Sequence, residues 1–141
     1  MVDKNKVGVL AKHLDCSPED IEEGHPSYGD FVTHEYGNEE YLVLTDEEAD
    51  EACRDNIKES VWAFNADFII RHSDLPWEAV DMIKGFQESK CEDANETILA
   101  LIMDFDGFVE DAISSDGRGH FLSGYDGDEV EAGKYFIYRL N

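Results

Sequence analysis

The sequence predicts an α+β fold, a small antiparallel sheet packed on a helical layer of three main helices. Two observations predict the sheet: a hairpin pattern over residues 30–45 and an aromatic-rich β-type segment at the C-terminal end, Lys134-Tyr-Phe-Ile-Tyr-Arg-Leu140. A third predicts the helices, since the apolar residues between 46 and 115 recur at steps of three and four.

The elements follow in order. Val7, Leu10, Ala11 and Leu14 lie at helical spacing, and Ser17-Pro-Glu-Asp20 supplies a cap, a first-turn proline and early carboxylates for a short second helix ending at Gly24-His25-Pro26. From Asp30 the period shortens: residues 31–36, a turn at Gly37-Asn38 and residues 39–44 read as strand, turn, strand. Thr45 then caps a long helix to about Arg71, with Asp46-Glu-Glu48 at the positive end of its dipole. Its apolar stripe is Ala49, Cys53, Ile57, Val61, Phe64 and Phe68, widened by Trp62 and Ile69. A second helix begins after Asp74, with Trp77, Val80, Met82, Ile83 and Phe86 expected inside. A third begins near Glu92 and carries Ala94, Ile98, Leu101, Phe105, Phe108 and Ala112. Beyond Ser114 the composition turns to glycine, serine and aspartate, and the terminal strand must pair with the 30–45 hairpin. The expected organisation is one domain over 1–141: a helical segment 1–28, the hairpin 30–45, helices 46–115, then a loop and strand over 116–141.

The chain has 141 residues, with 34 Asp+Glu against 11 Lys+Arg and a formal net charge of −23. Apolar residues make up 42%, enough for a core, which argues against general disorder. Such an excess of carboxylate repels phosphate backbones and anionic headgroups, so direct nucleic-acid or membrane-surface binding is not expected. Leu10 to Ile21 has the pattern of a helix-turn-helix, but its second helix would carry Glu19, Asp20, Glu22 and Glu23 and no basic face for a DNA groove. The three cysteines, 16, 53 and 91, form no C-x-x-C pair, which points to a reducing, cytoplasmic setting rather than a disulfide framework. No signal-peptide h-region or membrane-length apolar run is present.

Residues 114–128 hold the raw materials of a catalytic loop: Ser114, Asp116, Arg118, His120, Ser123 and Asp126 among glycines. The flanking pattern lacks a nucleophile elbow and a phosphate loop. The competing reading makes Asp116-Gly117 and Asp126-Gly127 turns, pairs Arg118 with a carboxylate, and packs His120, Phe121 and Tyr125 on the sheet. Metal ligation is weakly coded. Asp126, Asp128, Glu129 and Glu131 offer oxygen ligands suited to Ca²⁺, and Asp104 to Gly107 offers fewer, but neither matches an EF-hand. His13 and Cys16, with His25, make an incomplete zinc set. No cofactor and no metal are expected, and catalytic residues are not assigned.

The acidic charge has a geometry. Lys4, Lys6 and Lys12 against Asp3 give residues 1–13 a net of +2, whereas residues 14–59 hold 16 acids against Arg54 and Lys58, a net of −14. Glu47, Glu51, Asp55 and Glu59 recur every four residues, lining one helix face with carboxylates about 6 Å apart. Such like-charge steps cost a few tenths of a kcal/mol each. A solvated face or adaptation to high salt accounts for the ridge, and so does imitation of a phosphate backbone, whose charges repeat at a similar step.

The string Tyr41 to Ala52, then Trp62-Ala-Phe-Asn-Ala-Asp-Phe68, Gly117 to Gly127 and Tyr135-Phe-Ile-Tyr-Arg139 resemble small acidic proteins of unassigned function from bacteriophages and mobile elements, over most of residues 40–141. The resemblance carries no catalytic residues. It implies a phage origin and action on host machinery, because small acidic phage proteins include DNA mimics that block defence enzymes. The expected function is therefore non-enzymatic. Glu47, Glu51, Asp55 and Glu59, with Asp126, Asp128, Glu129 and Glu131 as a second patch, would bind a basic, nucleic-acid-binding host protein or defence factor in the host cytoplasm. The alternatives are an enzyme or ligand-binding domain built on Arg118, His120 and Asp126, and a structural or assembly protein whose acidity serves solubility.

Overall fold

In a computed structural model, residues 4–27 and 31–141 are described, Ser27 by its backbone alone. Asp30, the expected opening of the hairpin, lies outside them, as do residues 1–3. The fold is α+β. Among the described residues no helix is long and apolar enough to cross a membrane. The chain divides into two compact units, one of Met1–Asp55 with Asp116–Asn141, the other of Asn56–Ser115.

The first unit holds the sheet. Helix α1 (Lys4–Leu14) leads through a tight turn at Pro18–Asp20 into β1 (Glu22–Ser27), β2 (Phe31–Tyr36) and β3 (Glu39–Thr45). Near the C-terminal end come α7 (Arg118–Leu122), β4 (Val130–Ala132) and β5 (Tyr135–Arg139). The strands are antiparallel in the order β1-β2-β3-β5-β4. As the sequence predicts, the terminal strand pairs with the hairpin, Leu42 opposite Tyr138 and Val43 opposite Ile137. Alternation sends Tyr41, Val43, Tyr135 and Ile137 to one face, where Leu10 of α1 closes the core. Leu42, Leu44 and Tyr138 on the other face are equally buried, so β3 reads as a continuous apolar run.

The expected acidic helix after Ser17 is replaced by a single turn and strand β1, which removes the second half of the helix-turn-helix pattern. The strand tolerates Gly24-His25-Pro26 because it is an edge and its register shifts between Glu23 and Pro26. Gly24 is required there, since a β-carbon would run into the Thr33 hydroxyl.

The second unit is helical and takes in only the last residues of the helix that opens at Asp46. The long helix expected from Asp46 to Arg71 is interrupted: α2 (Asp46–Ser60) gives way to a turn at Val61–Ala63, and α3 (Ala66–Arg71) starts afresh. Side-chain amides hold this break. Asn65 Oδ1 accepts the Asp67 N–H (2.8 Å), Asn95 Oδ1 accepts that of Trp62 (3.1 Å), and Gln87 Nε2 donates to the Trp62 and Phe64 carbonyls (2.8 and 2.6 Å). A turn at Trp77–Ala79 precedes α4 (Val80–Lys90). Of the residues expected inside, Ile83 is buried, Val80 and Phe86 are half-buried, and Trp77 and Met82 are 57% and 65% exposed. The tight turn before α4 puts Trp77 out of phase with the face that Ile83 buries. The third expected helix is likewise two, α5 (Asn95–Leu101) and α6 (Phe105–Asp116). Asp104, expected mid-helix, instead caps α6 by accepting the Gly107 N–H (3.2 Å). Phe64, Phe68 and Phe108 meet with centroids 4.8 to 5.8 Å apart, and His72 packs edge-on to Phe108 with Nε2 2.9 Å from Asp111 Oδ2.

Much of the loop expected over 114–128 is helical, with α6 reaching Asp116 and α7 spanning Arg118–Leu122. Buried Gly119 packs on the backbone at Gly127 and Asp128, where a β-carbon would clash with the Gly127 carbonyl oxygen. The obstacle is main chain and cannot rotate aside. Gly119→Ala is therefore expected to destabilise the protein by about 2–3 kcal/mol, measured by urea unfolding.

Candidate functional site

Helix α2 begins with a reciprocal cap. The Glu48 N–H donates to Thr45 Oγ1 (3.2 Å), and the Thr45 N–H donates to Glu48 Oε1 (2.9 Å). Lys6 of α1 completes the corner with its Nζ 2.9 Å from the same carboxylate. Burial pushes the Glu48 carboxyl up, but the Thr45 N–H, the Lys6 ammonium and the Thr45 hydroxyl outweigh it, and the pKa is lowered.

With the start of α2 fixed, the helical step of 100° sorts its acids. Ala49, Ala52 and Cys53 point inward and are buried. Asp46 and Asp50 share one outer stripe, and Glu47, Glu51 and Asp55 share the next. Glu59 lies in the part of α2 that belongs to the second unit. Glu47, Glu51 and Glu59 are exposed and Asp55 is half-buried. Among the described residues none of these four enters an ion pair.

The first stripe is bound to Arg118, the opening residue of α7. Its side chain is only 10% exposed and lies over the Phe136 ring of β5, 4.6 Å from the centroid. Nε donates to Glu129 Oε1 (2.7 Å), and Nη1 reaches the Asp46 carbonyl (3.0 Å), Asp46 Oδ1 (2.9 Å) and Asp50 Oδ1 (3.1 Å). Tyr138, buried on β5, donates its hydroxyl to the same Glu129 oxygen. Burial works against the Arg118 charge, but Glu129 and Asp46 more than compensate and hold the guanidinium protonated. Burial first, and then the Glu129 bond, raise the Tyr138 pKa. Burial also pushes the nearby Cys53 thiol up to about 12, which makes it a poor nucleophile at neutral pH.

Arg118 thus ties the N-terminal turns of α2 to the segment carrying Asp126, Asp128, Glu129 and Glu131. Within that segment the four acids have different employment. Glu129 is committed to Arg118 and Tyr138, so it is a structural ligand rather than a free contact. Asp126 Oδ1 accepts from Ser123 Oγ (2.8 Å) and the Asp128 N–H (3.0 Å), and these bonds lower its pKa, the backbone one most. Asp128 and Glu131 are exposed.

The residues of the alternative catalytic reading are given separate partners. Arg118 faces carboxylates, a surrounding that repels an anionic substrate. His120 is exposed and meets the edge of Phe121 at 4.9 Å. Ser123, the buried hydroxyl of the stretch, has Asp126 Oδ1 and the Arg139 carbonyl (2.7 Å) as competing acceptors for its one proton, with no imidazole among them. The candidate oxygen ligands for calcium are divided in the same way between structural bonds and solvent. A different set of ligand atoms does converge, those of His25, Glu35 and Glu40 on the sheet, all within 4.8 Å of one another. Sequence spacing gave no signal for it, since the three come from three strands.

Comparison with family models, curated proteins and solved structures finds no match to the chain.

Two expectations follow. Removing the buried guanidinium takes away its packing on Phe136 and its bonds to Glu129 and Asp46, whose carboxylates are themselves partly solvated, so Arg118→Ala is expected to cost about 1–2 kcal/mol in urea unfolding. Arg118→Lys should recover little of that, because an ammonium lacks the fork that spans Glu129 and Asp46 together. For Glu48 the folded carboxyl titrates below its ordinary value of 4.5, so its stabilisation is present above that value and is lost as pH falls through the lowered one. The stability gap between the native protein and Glu48→Gln is therefore expected to narrow on acidification below about pH 5, followed by chemical unfolding at a series of pH values.

Proposed function

We propose that this protein is a non-enzymatic acidic ligand that occupies a basic, nucleic-acid-binding surface of another protein, a host defence or nucleic-acid-handling factor if the chain is phage-borne. The observation that carries the reading is the division of labour on α2. Asp46, Glu48 and Asp50 are paired with Arg118 and Lys6, while Glu47 and Glu51 on the adjoining stripe stay exposed without a cationic partner. A helix capped by Thr45 and Glu48 and anchored through Arg118 presents those carboxylates on a rigid support, spaced at a step near that of phosphates along one nucleic-acid strand. Rigidity favours binding because little side-chain and backbone freedom is lost on docking. Asp128 and Glu131, on the segment that Arg118 and Glu129 tether, extend the negative surface of the same unit.

The reading rests on electrostatics, so salt and competition test it. The immobilised protein is expected to capture basic proteins from a bacterial lysate at about 50 mM salt and to release most of them by about 500 mM. Added duplex DNA should displace them, and the combined variant Glu47→Gln, Glu51→Gln, Asp55→Asn and Glu59→Gln should retain markedly fewer. Capture indifferent to salt, to DNA or to those substitutions would refute the proposal.

A further inference from the structure

The sheet carries a second concentration of charge, on strands that take no part in the acidic helix face. Glu22 on β1 lies directly opposite Glu35 on β2, and Glu35 lies directly opposite Glu40 on β3. Residues paired in this way point to the same side of a sheet, so three carboxylates form a row across three strands. Like charges directly opposite one another weaken strand pairing, and half-buried Glu35 and Glu40 are less screened than fully exposed acids would be.

One imidazole joins the row because of a bulge. Gly24 and His25 together oppose the single residue Thr33, between the pairs Glu23 with His34 and Pro26 with Val32. In an unbroken strand His25 would follow the alternation of Glu23 and point to the opposite side from Glu35. The extra residue re-aims it. The His25 N–H donates to Thr33 Oγ1 (3.2 Å), which fixes the bulge, and Gly24 supplies the close approach to the same hydroxyl. His25 Nε2 then stands 3.9 Å from Glu40 Oε2, and ligand atoms of His25, Glu35 and Glu40 lie within 4.8 Å of one another.

We infer that His25, Glu35 and Glu40 form a binding site for a divalent transition metal of the zinc class. One nitrogen and two carboxylate oxygens suit Zn²⁺ better than Ca²⁺ or Mg²⁺, which prefer oxygen alone. Around a tetrahedral ion with bonds of about 2.0–2.1 Å, ligand atoms sit roughly 3.4 Å apart. The present separations, up to 4.8 Å, are wider than that by about 1.4 Å, so binding has to draw the three side chains together over the ion. His25 is 70% exposed and gives the ion an open approach, and water completes the coordination shell. The bound charge offsets the repulsion of the glutamate row and clips edge strand β1 to β2 and β3. This inference is independent of the acidic helix face.

Zinc titration of the intact protein against a chelating indicator, at about 150 mM salt, tests it. One equivalent is expected to bind as a distinct site and to raise the thermal midpoint. His25→Ala and Glu35→Gln should each weaken that binding by about tenfold or more, whereas Glu47→Gln with Glu51→Gln should leave it unchanged. His25 is exposed, so its substitution leaves the fold intact, and the circular dichroism of each variant confirms that. Cobalt in place of zinc should give visible absorption bands that disappear in His25→Ala. Zinc uptake that survives His25→Ala, that falls with the helix variants, or that is matched by equal concentrations of Mg²⁺ is diffuse counterion binding and overturns the inference.

Discussion

The first unit is organised around one guanidinium. Arg118 sits in a place with little water, stacked on Phe136, and every polar group it meets there is an acceptor supplied by another part of the chain. The start of α2 and the segment before β4 take their positions from its two donor edges, and the hydroxyl of Tyr138 bonds the Glu129 carboxylate that it holds. A protein with 34 acids and 11 bases has few cations to place inside, and this one uses Arg118 and Lys6 to anchor the two ends of the same helical corner. The remaining carboxylates are then held in register without being neutralised. Arg rather than Lys is the residue for that position because its charge is spread over a plane that can stack on a ring and donate along two edges at once.

The segment 116–131 shows how a stretch rich in Ser, His, Asp and Gly can be scaffold. Its hydroxyl, its guanidinium and two of its acids are used in fastening the segment to itself, to the start of α2 and to β5. Ser123 bonds the Arg139 carbonyl, the Tyr125 N–H bonds the same oxygen (3.3 Å), and the Arg139 guanidinium lies over the Tyr125 ring at 3.6 Å. Arg118 and Ser123 look reactive in the sequence and are inert in place, because each already has acceptors at close range.

Much of the sheet was legible in the sequence because its signals are local. Gly37-Asn38 between alternating runs marks the hairpin, and the aromatic β-branched ending can only pair with it. Strand β1 was not legible, since Glu22 to Ser27 has no apolar alternation and contains Gly and Pro, and only an edge position with a bulge makes it a strand. The helix breaks were hidden for a different reason. The apolar period runs on through Val61 to Phe68 and through Leu101 to Phe108, whereas the stops are set by Asn65, Gln87, Asn95 and Asp104, polar residues that a periodicity argument passes over. At the acidic face, the spacing of Glu47, Glu51, Asp55 and Glu59 was plain, but the commitment of Glu129 was not. Arg118 finds Asp46 and Asp50 at separations of 72 and 68 residues, and no local pattern encodes such a partner.

The order of the strands has one more consequence. Among the described residues β1 and β4 each have one side without a strand neighbour, and an open strand edge is a template onto which an unfolded chain or a second molecule can add and begin an aggregate. Pro26 removes one amide donor from β1, the bulge at Gly24 and His25 bends its ladder out of line, and Glu22 and Glu23 place charge beside it. Strand β4 is only three residues long and carries Glu131 at its centre. The irregularities that made these two strands hard to foresee are the same ones that keep an incoming strand from finding a straight, complete row of partners, so the sheet stops growing at five.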